Sequence, residues 1–267
     1  MDATKTIYLN IAGFNIKINL KETEFKYFKE IKIEEIKKYW SSFFINNKPK
    51  KIDFTINFVE RKNIETIYQT KSKKSFINFY QIKTNNIINS YYQCGPIQFQ
   101  IILKQVLSEL LNLRQGMTVH CSAVRFENKA YLFLGKPGAG KSTAMSLLSK
   151  KFSPLADDSG IIKKEENNYF FYQTPFLEKN SWIKKNNNKL YLGKIFFLRK
   201  KPYFKIEKIE NKDYVIERMT KQLFSEKELG KNQMKTLLRF VSQFNGFYFL
   251  SFAKDQNKLI KLIDFDK

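Results

Sequence analysis

AYLFLGKPGAGKST, residues Ala130–Thr143, joins a fully apolar run to a glycine-rich turn. Gly135, Gly140, Lys141 and Ser142 fill every fixed position of the pattern G-x-x-x-x-G-K-[ST]. Gly135, Gly138 and Gly140 let the backbone enter turn conformations that a side chain forbids, so successive N–H groups can converge on phosphate oxygens. In this pattern Lys141 reaches the β- and γ-phosphates, and the Ser142 hydroxyl ligates magnesium. The flanks agree: Ala130–Leu134 has the composition of a buried strand, and Ser142–Lys151 that of a helix whose N-terminal partial positive charge favours an anion. A glycine turn that merely linked strand to helix would not require Lys141-Ser142. The expected ligand is ATP or another nucleoside triphosphate with Mg²⁺. Its expected binding residues are Gly135, Lys136, Pro137, Gly138, Ala139, Gly140, Lys141, Ser142 and Thr143.

Downstream of that helix, Phe152–Ala156 leads into Asp157-Asp158. A strand returning beside the phosphate-loop strand would set both carboxylates near a γ-phosphate. One could then approach the metal while the other accepts a proton from an attacking hydroxyl. A bare Asp-Asp pair could also be an exposed turn or a helix cap, but at this distance from a phosphate loop it is informative. Upstream, Met117–Phe126 reads as one strand and Glu127–Lys129 as a turn. His120, the only histidine of the chain, is expected in mid-strand between Val119 and Cys121. It reads either as a structural histidine or, one hairpin before the loop, as a group facing the same phosphates.

Composition narrows the choice of chemistry. The chain has 267 residues, 43% hydrophobic, which suits one large domain or two modest ones. No apolar run approaches the roughly 20 residues needed to cross a bilayer, and MDATKTIYLNIAGF has no signal-peptide pattern, so a cytoplasmic protein without a membrane partner is expected. Cys94 and Cys121 lack CxxC spacing, so neither a disulfide framework nor a zinc site is indicated. The formal net charge is +23, which raises the prospect of an acidic partner or a nucleic acid. Only Arg61, Arg114, Arg125, Arg199, Arg218 and Arg239 are arginines, however. A lysine excess that travels with Asn, Ile and Phe also fits general composition bias.

The rest of the pattern is mixed. Thr6–Ile11 and Phe14–Leu20 read as strands around the turn Ala12-Gly13, Ile33–Phe44 as a helix and Ile52–Val59 as a strand. Asn63–Tyr92 is polar and aromatic, with short strands expected. Ile97–Leu113 has helical spacing and is expected to stop at Gly116. Ile161–Lys164 and Tyr169–Gln173 should pair around Glu165–Asn168. Further strands are expected at Ile195–Arg199, Phe204–Ile209 and Phe247–Phe252, and helices at Asp213–Phe224, Asn232–Phe244 and from Asn257. The fold class is α/β with α+β character, because hairpins surround the loop helix and exclude a simple parallel doubly wound sheet. The expected division is a smaller mixed region at 1–95, suited to substrate docking, and a phosphate-loop domain at 96–267.

VHCSAVRFENKAYLFLGKPGAGKSTAMSLLSKKFSPLADDSGII, residues Val119–Ile162, resembles the core of the HPr kinase/phosphorylase family: a histidine in a strand, a hairpin, the phosphate loop, then Ala-Asp-Asp. The likeness is greatest to the HPr-kinase-related proteins found beside peptide-modifying gene clusters, such as those for lasso peptides. There too the segment after Asp-Asp runs through a hairpin to Pro-Phe, as Pro175-Phe176 does here. The resemblance covers residues 117–176 well and the flanks in outline. It implies a fold related to phosphoenolpyruvate carboxykinase and ATP-dependent phosphorylation of a serine hydroxyl on a peptide or small protein. By that resemblance Asp157 is the general base, Lys141 and the loop amides hold phosphate, Ser142 and Asp158 lie at the magnesium, and His120 lies near the transferred group. The glycine-rich signature that supplies a glutamate near the metal in authentic members is missing, and Glu178 is a weak substitute for it. Related kinases often form homo-oligomers, but no stretch here reports an interface. Two other readings stay open: a polynucleotide 5′-hydroxyl kinase, and a nucleotide-gated binding protein without phosphotransfer.

Overall fold

The computed structural model describes residues 4–21, 33–58, 81–90, 96–178, 180, 182–223 and 230–265. Contacts along the chain group the residues up to Leu107 into one compact unit and those from Ser108 into another. The divide falls inside helix α2 (Pro96–Leu113), whereas the sequence-based boundary lies ahead of that helix. Together the units hold two mixed sheets and six α-helices among the described residues. None of those helices is long and apolar enough to cross a membrane.

The first unit is built on a hairpin of β1 (Thr4–Ile11) and β2 (Phe14–Lys21). Ala12 and Gly13 both adopt positive φ, 51° and 80°, the geometry that lets a two-residue turn match the twist of its strands. Alternation then buries Leu9, Ile11, Ile16 and Ile18 on one face. On the other face runs a row of side-chain hydrogen bonds, Thr6 to Asn19, Asn19 to Asn57 and Asn57 to Asn89. Strands β3 (Phe44–Ile45), β4 (Phe54–Phe58), β5 (Gln81–Thr84) and β6 (Ile87–Ser90) complete the order β3-β1-β2-β4-β6-β5. Helix α1 (Ile33–Trp40) buries Ile36 and Trp40, and the Trp40 ring meets Phe99 of α2 edge-on at 4.7 Å. Of the strands expected over Asn63–Tyr92, β5 and β6 are present; residues 63–80 and 91–92 lie outside the described residues, as does Cys94.

The second unit carries a nine-stranded sheet. Its elements are β7 (Gly116–Val119), β8 (Ser122–Phe126), β9 (Lys129–Leu134), α3 (Lys141–Leu148), β10 (Pro154–Ala156), β11 (Gly160–Glu165), β12 (Asn168–Gln173), β13 (Leu190–Lys200), β14 (Lys205–Lys208), α4 (Lys212–Thr220), α5 (Lys231–Gln243), β15 (Phe247–Phe252) and α6 (Gln256–Phe265). The order is β10-β8-β9-β13-β12-β11-β7, with β15 parallel to β13 and β14 antiparallel to β15. One face packs Ala144, Met145 and Leu148 of α3 with Leu259 and Ile263 of α6. The other packs Val215 and Met219 of α4 with Leu237, Phe240 and Val241 of α5. The result is three layers around buried strands.

Two expectations for this unit change. The helix before β7 does not stop on Gly116, which opens the strand; Gln115 makes the left-handed turn at φ 52°. A Cβ on Gly116 would come within 2.5 Å of Leu111 Cδ2, so that methyl would have to move aside. The single strand expected over Met117–Phe126 is two strands. β7 pairs with β11 at one end of the sheet, and β8 pairs with β9 and β10 at the other. Only His120-Cys121 separate β7 from β8, and only Asp157–Ser159 separate β10 from β11. Two or three residues span about 10 Å at most, so the sheet curls until its ends meet at these two bends.

Candidate active site

The bends explain how distant residues gather. β9, β13 and β15 run parallel, so their carboxyl ends, Leu134, Lys200 and Phe252, share one edge of the sheet. β8 runs antiparallel to β9 and begins at that edge, with Ser122 opposite Phe133. β10 runs antiparallel to β8 and ends there, with Ala156 opposite Ala123. The phosphate loop, the His120 bend and the Asp157-Asp158 bend therefore emerge together, at the carboxyl edge where open α/β sheets bind ligands. β10 does not lie beside β9 as expected; β8 intervenes, and the curl rather than adjacency brings the carboxylates in.

Gly135–Gly140 form a tight loop. Gly138 and Gly140 take φ of 78° and 99°, conformations that strain any residue with a side chain. A Cβ on Gly135 would meet Ala139 Cβ at 2.7 Å, and one on Gly140 would press on the Phe252 ring at 3.1 Å. Ala139 N–H turns back to the Lys136 carbonyl at 3.0 Å, and the first helical bond of α3 runs from Ala144 N–H to Gly140 O at 2.8 Å. The amides of Lys141, Ser142 and Thr143 precede that bond and have no acceptor inside the helix. Lys141 is buried, and its Nζ donates to the Gly135 carbonyl at 2.8 Å. Ser142 is exposed at the head of α3. Such a frame suits an anion.

Asp157 is 5% exposed and held on every side. Ser122 Oγ donates to Oδ1 at 3.0 Å, Asn180 Nδ2 donates a short hydrogen bond to Oδ2, and Asp157 N–H donates to Glu178 Oε2 at 3.0 Å. Asp158 is a third exposed, and its Oδ1 lies 3.6 Å from His120 Nδ1. Its carbonyl accepts the Cys121 N–H at 3.3 Å, a bond that joins the two bends directly. His120 is thus not in mid-strand; it sits where the ladder opens, and its N–H donates to Gln222 O at 2.7 Å. With its amide oriented as its neighbours require, Gln222 also donates to His120 O at 3.3 Å and to Gly135 O at 3.1 Å. One buried glutamine so links the histidine bend to the first residue of the phosphate loop.

A solved structure resembles part of this chain. It is the HPr(Ser) kinase/phosphatase from Coxiella burnetii, at a TM-score of 0.26 and 17% sequence identity, over 34% of this chain and 72% of that one. No protein-family model and no curated protein matches the sequence. A likeness of this size carries no residue roles across, so the chemistry rests on the side chains themselves.

Those side chains include several that the sequence left unmarked. Glu178, expected as a weak metal group, spends both oxygens elsewhere, on the Asp157 N–H and on Lys185 Nζ at 2.5 Å. Burial pushes the Lys185 ammonium below its ordinary value, and the Glu178 carboxylate opposes the shift. Burial, reinforced by the Glu178 charge, pushes the Cys121 thiol up, away from the reactive thiolate form. Ser122 had only a weak local signal, its place two residues after His120, and the strand which that reading assumes is broken at His120-Cys121. Asn180, Lys185 and Gln222 had none, lying in stretches rich in Lys, Asn and Gln.

The donors available to a metal are the exposed Ser142 hydroxyl and the Asp158 carboxylate. These are hard oxygens of the kind Mg²⁺ uses together with substrate phosphates. No group of three or more His, Cys, Asp or Glu side chains arranged to hold a metal ion occurs among the described residues, and magnesium beside substrate phosphates uses only one or two carboxylates. By donor type alone, these two groups suit Mg²⁺.

Proposed function

We propose that this chain is an ATP-dependent phosphotransferase that moves the γ-phosphoryl group to a hydroxyl, foremost a serine on a peptide or small protein. One observation supports the reading above all: Asp157, with its Oδ1 fixed by Ser122, stands at the same sheet edge as Lys141 and the glycine loop. Lys141 leaves the Gly135 carbonyl for the β- and γ-phosphates, and Gln222 retains that carbonyl. The acceptor hydroxyl takes the place of the Asn180 amide at Asp157 Oδ2 and gives its proton to the carboxylate. As its oxygen bonds to the γ-phosphorus, the bond from that phosphorus to the β-phosphate bridging oxygen breaks and ADP departs with the electron pair. Mg²⁺, when bound at Ser142 and Asp158, supplies charge neutralisation on the phosphates. In this reading His120, as the imidazolium beside Asp158, donates to a phosphoryl oxygen. Positioning and electrostatics dominate such transfers.

The test is Asp157→Asn. Nucleotide affinity, measured by calorimetry with magnesium, should stay within about twofold. Transfer of labelled γ-phosphate should fall by roughly 100- to 10,000-fold, the range of a lost general base. Normal turnover in Asp157→Asn would end the assignment.

A second reading has an observation of its own. Lys136, Lys200 and Lys201 are exposed at or beside the loop, and Lys200 Cε lies 3.8 Å from where a Gly140 Cβ would stand. Such a basic rim also suits a polynucleotide 5′-hydroxyl acceptor. Parallel assays with a serine peptide and a 5′-hydroxyl oligonucleotide separate the two. Slow hydrolysis of ATP to water with neither product would favour a nucleotide-gated binding protein.

A further inference from the structure

Glu178 and Lys185 form a buried ion pair that the transfer chemistry does not itself use. Their side chains are 5% and 14% exposed. Lys185 Nζ also donates to the Thr174 carbonyl at 2.9 Å. Two charges withdrawn from water seldom add net stability, and an apolar pair of similar volume often serves as well. What the pair does add here is direction. The carboxylate oxygen that Lys185 leaves uncovered is the one that accepts the Asp157 N–H.

The surrounding segment is fastened on both flanks. Gln173 Nε2 donates to the Leu155 carbonyl at 2.6 Å, Asn186 N–H donates to Gln173 Oε1 at 2.8 Å, and the Ser159 and Thr174 hydroxyls lie 3.0 Å apart. Between these ties, and among the described residues, the anchor this segment gives the Asp157 backbone is the Glu178 carboxylate. A free glutamate could rotate that anchor away; one gripped by a buried ammonium cannot. We propose that Lys185 is a positioning residue of the phosphoryl-transfer site: its ammonium fixes Glu178, and Glu178 fixes the backbone that aims the Asp157 carboxylate. The inference rests on the function proposed above. It assigns Lys185 a task no sequence motif marks, and it makes Glu178 a strut rather than a metal ligand.

The experiment compares variants that differ in one link. Lys185→Met keeps the volume but strands the Glu178 charge. Glu178→Gln/Lys185→Met removes both charges yet keeps an oxygen for the Asp157 N–H, whereas Glu178→Ala/Lys185→Met removes that oxygen too. Displacing a catalytic group by about 1 Å slows reaction about 100-fold. Lys185→Met and Glu178→Ala/Lys185→Met should therefore lose about 10- to 100-fold in kcat, with the KM for ATP within about twofold. The Gln/Met pair should stay within about tenfold of the wild type, and at least about fivefold above the Ala/Met pair. In parallel, the Asp157 amide proton resonance of the free protein should move in Ala/Met and return toward its original place in Gln/Met. Equal rates and equal amide shifts in the two double variants overturn the proposal. So does a raised KM for ATP at unchanged kcat in Lys185→Met, which would mean contact with phosphate. Should the single variant fail to fold, the two uncharged doubles decide the Glu178 strut, and Glu178→Gln with Lys185 kept decides the ammonium: its kcat should exceed that of the Gln/Met pair, and equal rates overturn the part given to Lys185. If the wild type transfers no phosphoryl group at all, the proposed function falls, while the amide resonance still reports whether Lys185 holds this loop.

Discussion

Gly138 and Gly140 look alike in the sequence and differ in space. Both take left-handed φ, so alanine at either position adds strain of about 1–2 kcal/mol. A Cβ on Gly138 meets nothing within 4 Å, whereas one on Gly140 presses on the Phe252 ring. Gly138→Ala should therefore lose about 1 kcal/mol in urea unfolding, and Gly140→Ala at least about 1 kcal/mol more, because the ring must shift. The same Phe252 shift should carry over to the loop mouth, so nucleotide affinity should fall further in Gly140→Ala. Equal losses in the two variants would remove Phe252 from the account. The need for glycine was legible in the spacing of GKPGAGKST. The ring beneath Gly140 was not, because it arrives from β15, more than a hundred residues along the chain. His120 shows the same limit, since an alternating pattern cannot reveal that a ladder opens between Val119 and Ser122.

At the scale of elements, the hairpin β11–β12 was readable from its two apolar runs and polar turn, and its pairing from Gly160↔Gln173 to Glu165↔Asn168 agrees. The pattern did not announce the charge network at its tip. Burial raises the Glu165 carboxyl, but hydrogen bonds from Tyr172 at 2.5 Å and Lys189 at 2.9 Å, with Lys163 at 3.0 Å, outweigh it and bring it from an ordinary 4.5 down to about 2. A lowered folded-state value means this stabilisation is complete above the unfolded carboxyl's own range. It is lost as pH falls from about 4.5 through about 2. Discounted for the exposure of Lys189, it amounts to about 1–2 kcal/mol. Thermal unfolding of the wild type should thus drop over that window more steeply than that of Glu165→Gln. Parallel slopes would mean the network carries no net stability.

For the whole molecule, the charge of +23 is the property with the longest reach. Exposed lysines at the loop rim should draw in an acidic acceptor, and salt should weaken that attraction because the screening length shrinks from about 10 Å at 0.1 M to about 3 Å at 1 M. The KM for a peptide rich in Asp and Glu should rise at least about fivefold between 0.05 and 0.5 M salt, while that for a neutral peptide stays within about twofold. Equal salt dependence for both peptides would reduce the lysine excess to a solvated shell.

By itself the sequence determined the local structures: a buried strand before a glycine loop, a helix after it, hairpins on either side, and the residue types that can hold phosphate and accept a proton. These follow from short-range rules of periodicity, turn chemistry and motif spacing, which act over a few residues. Only the tertiary structure decided that two bends in one curled sheet bring His120, Asp157 and the loop to a common edge. It alone placed Gln222, Asn180 and the Glu178–Lys185 pair around them. Strand order and burial depend on contacts between segments far apart in the chain, and a lysine in a run of lysines and asparagines carries no local sign that it will be taken out of water.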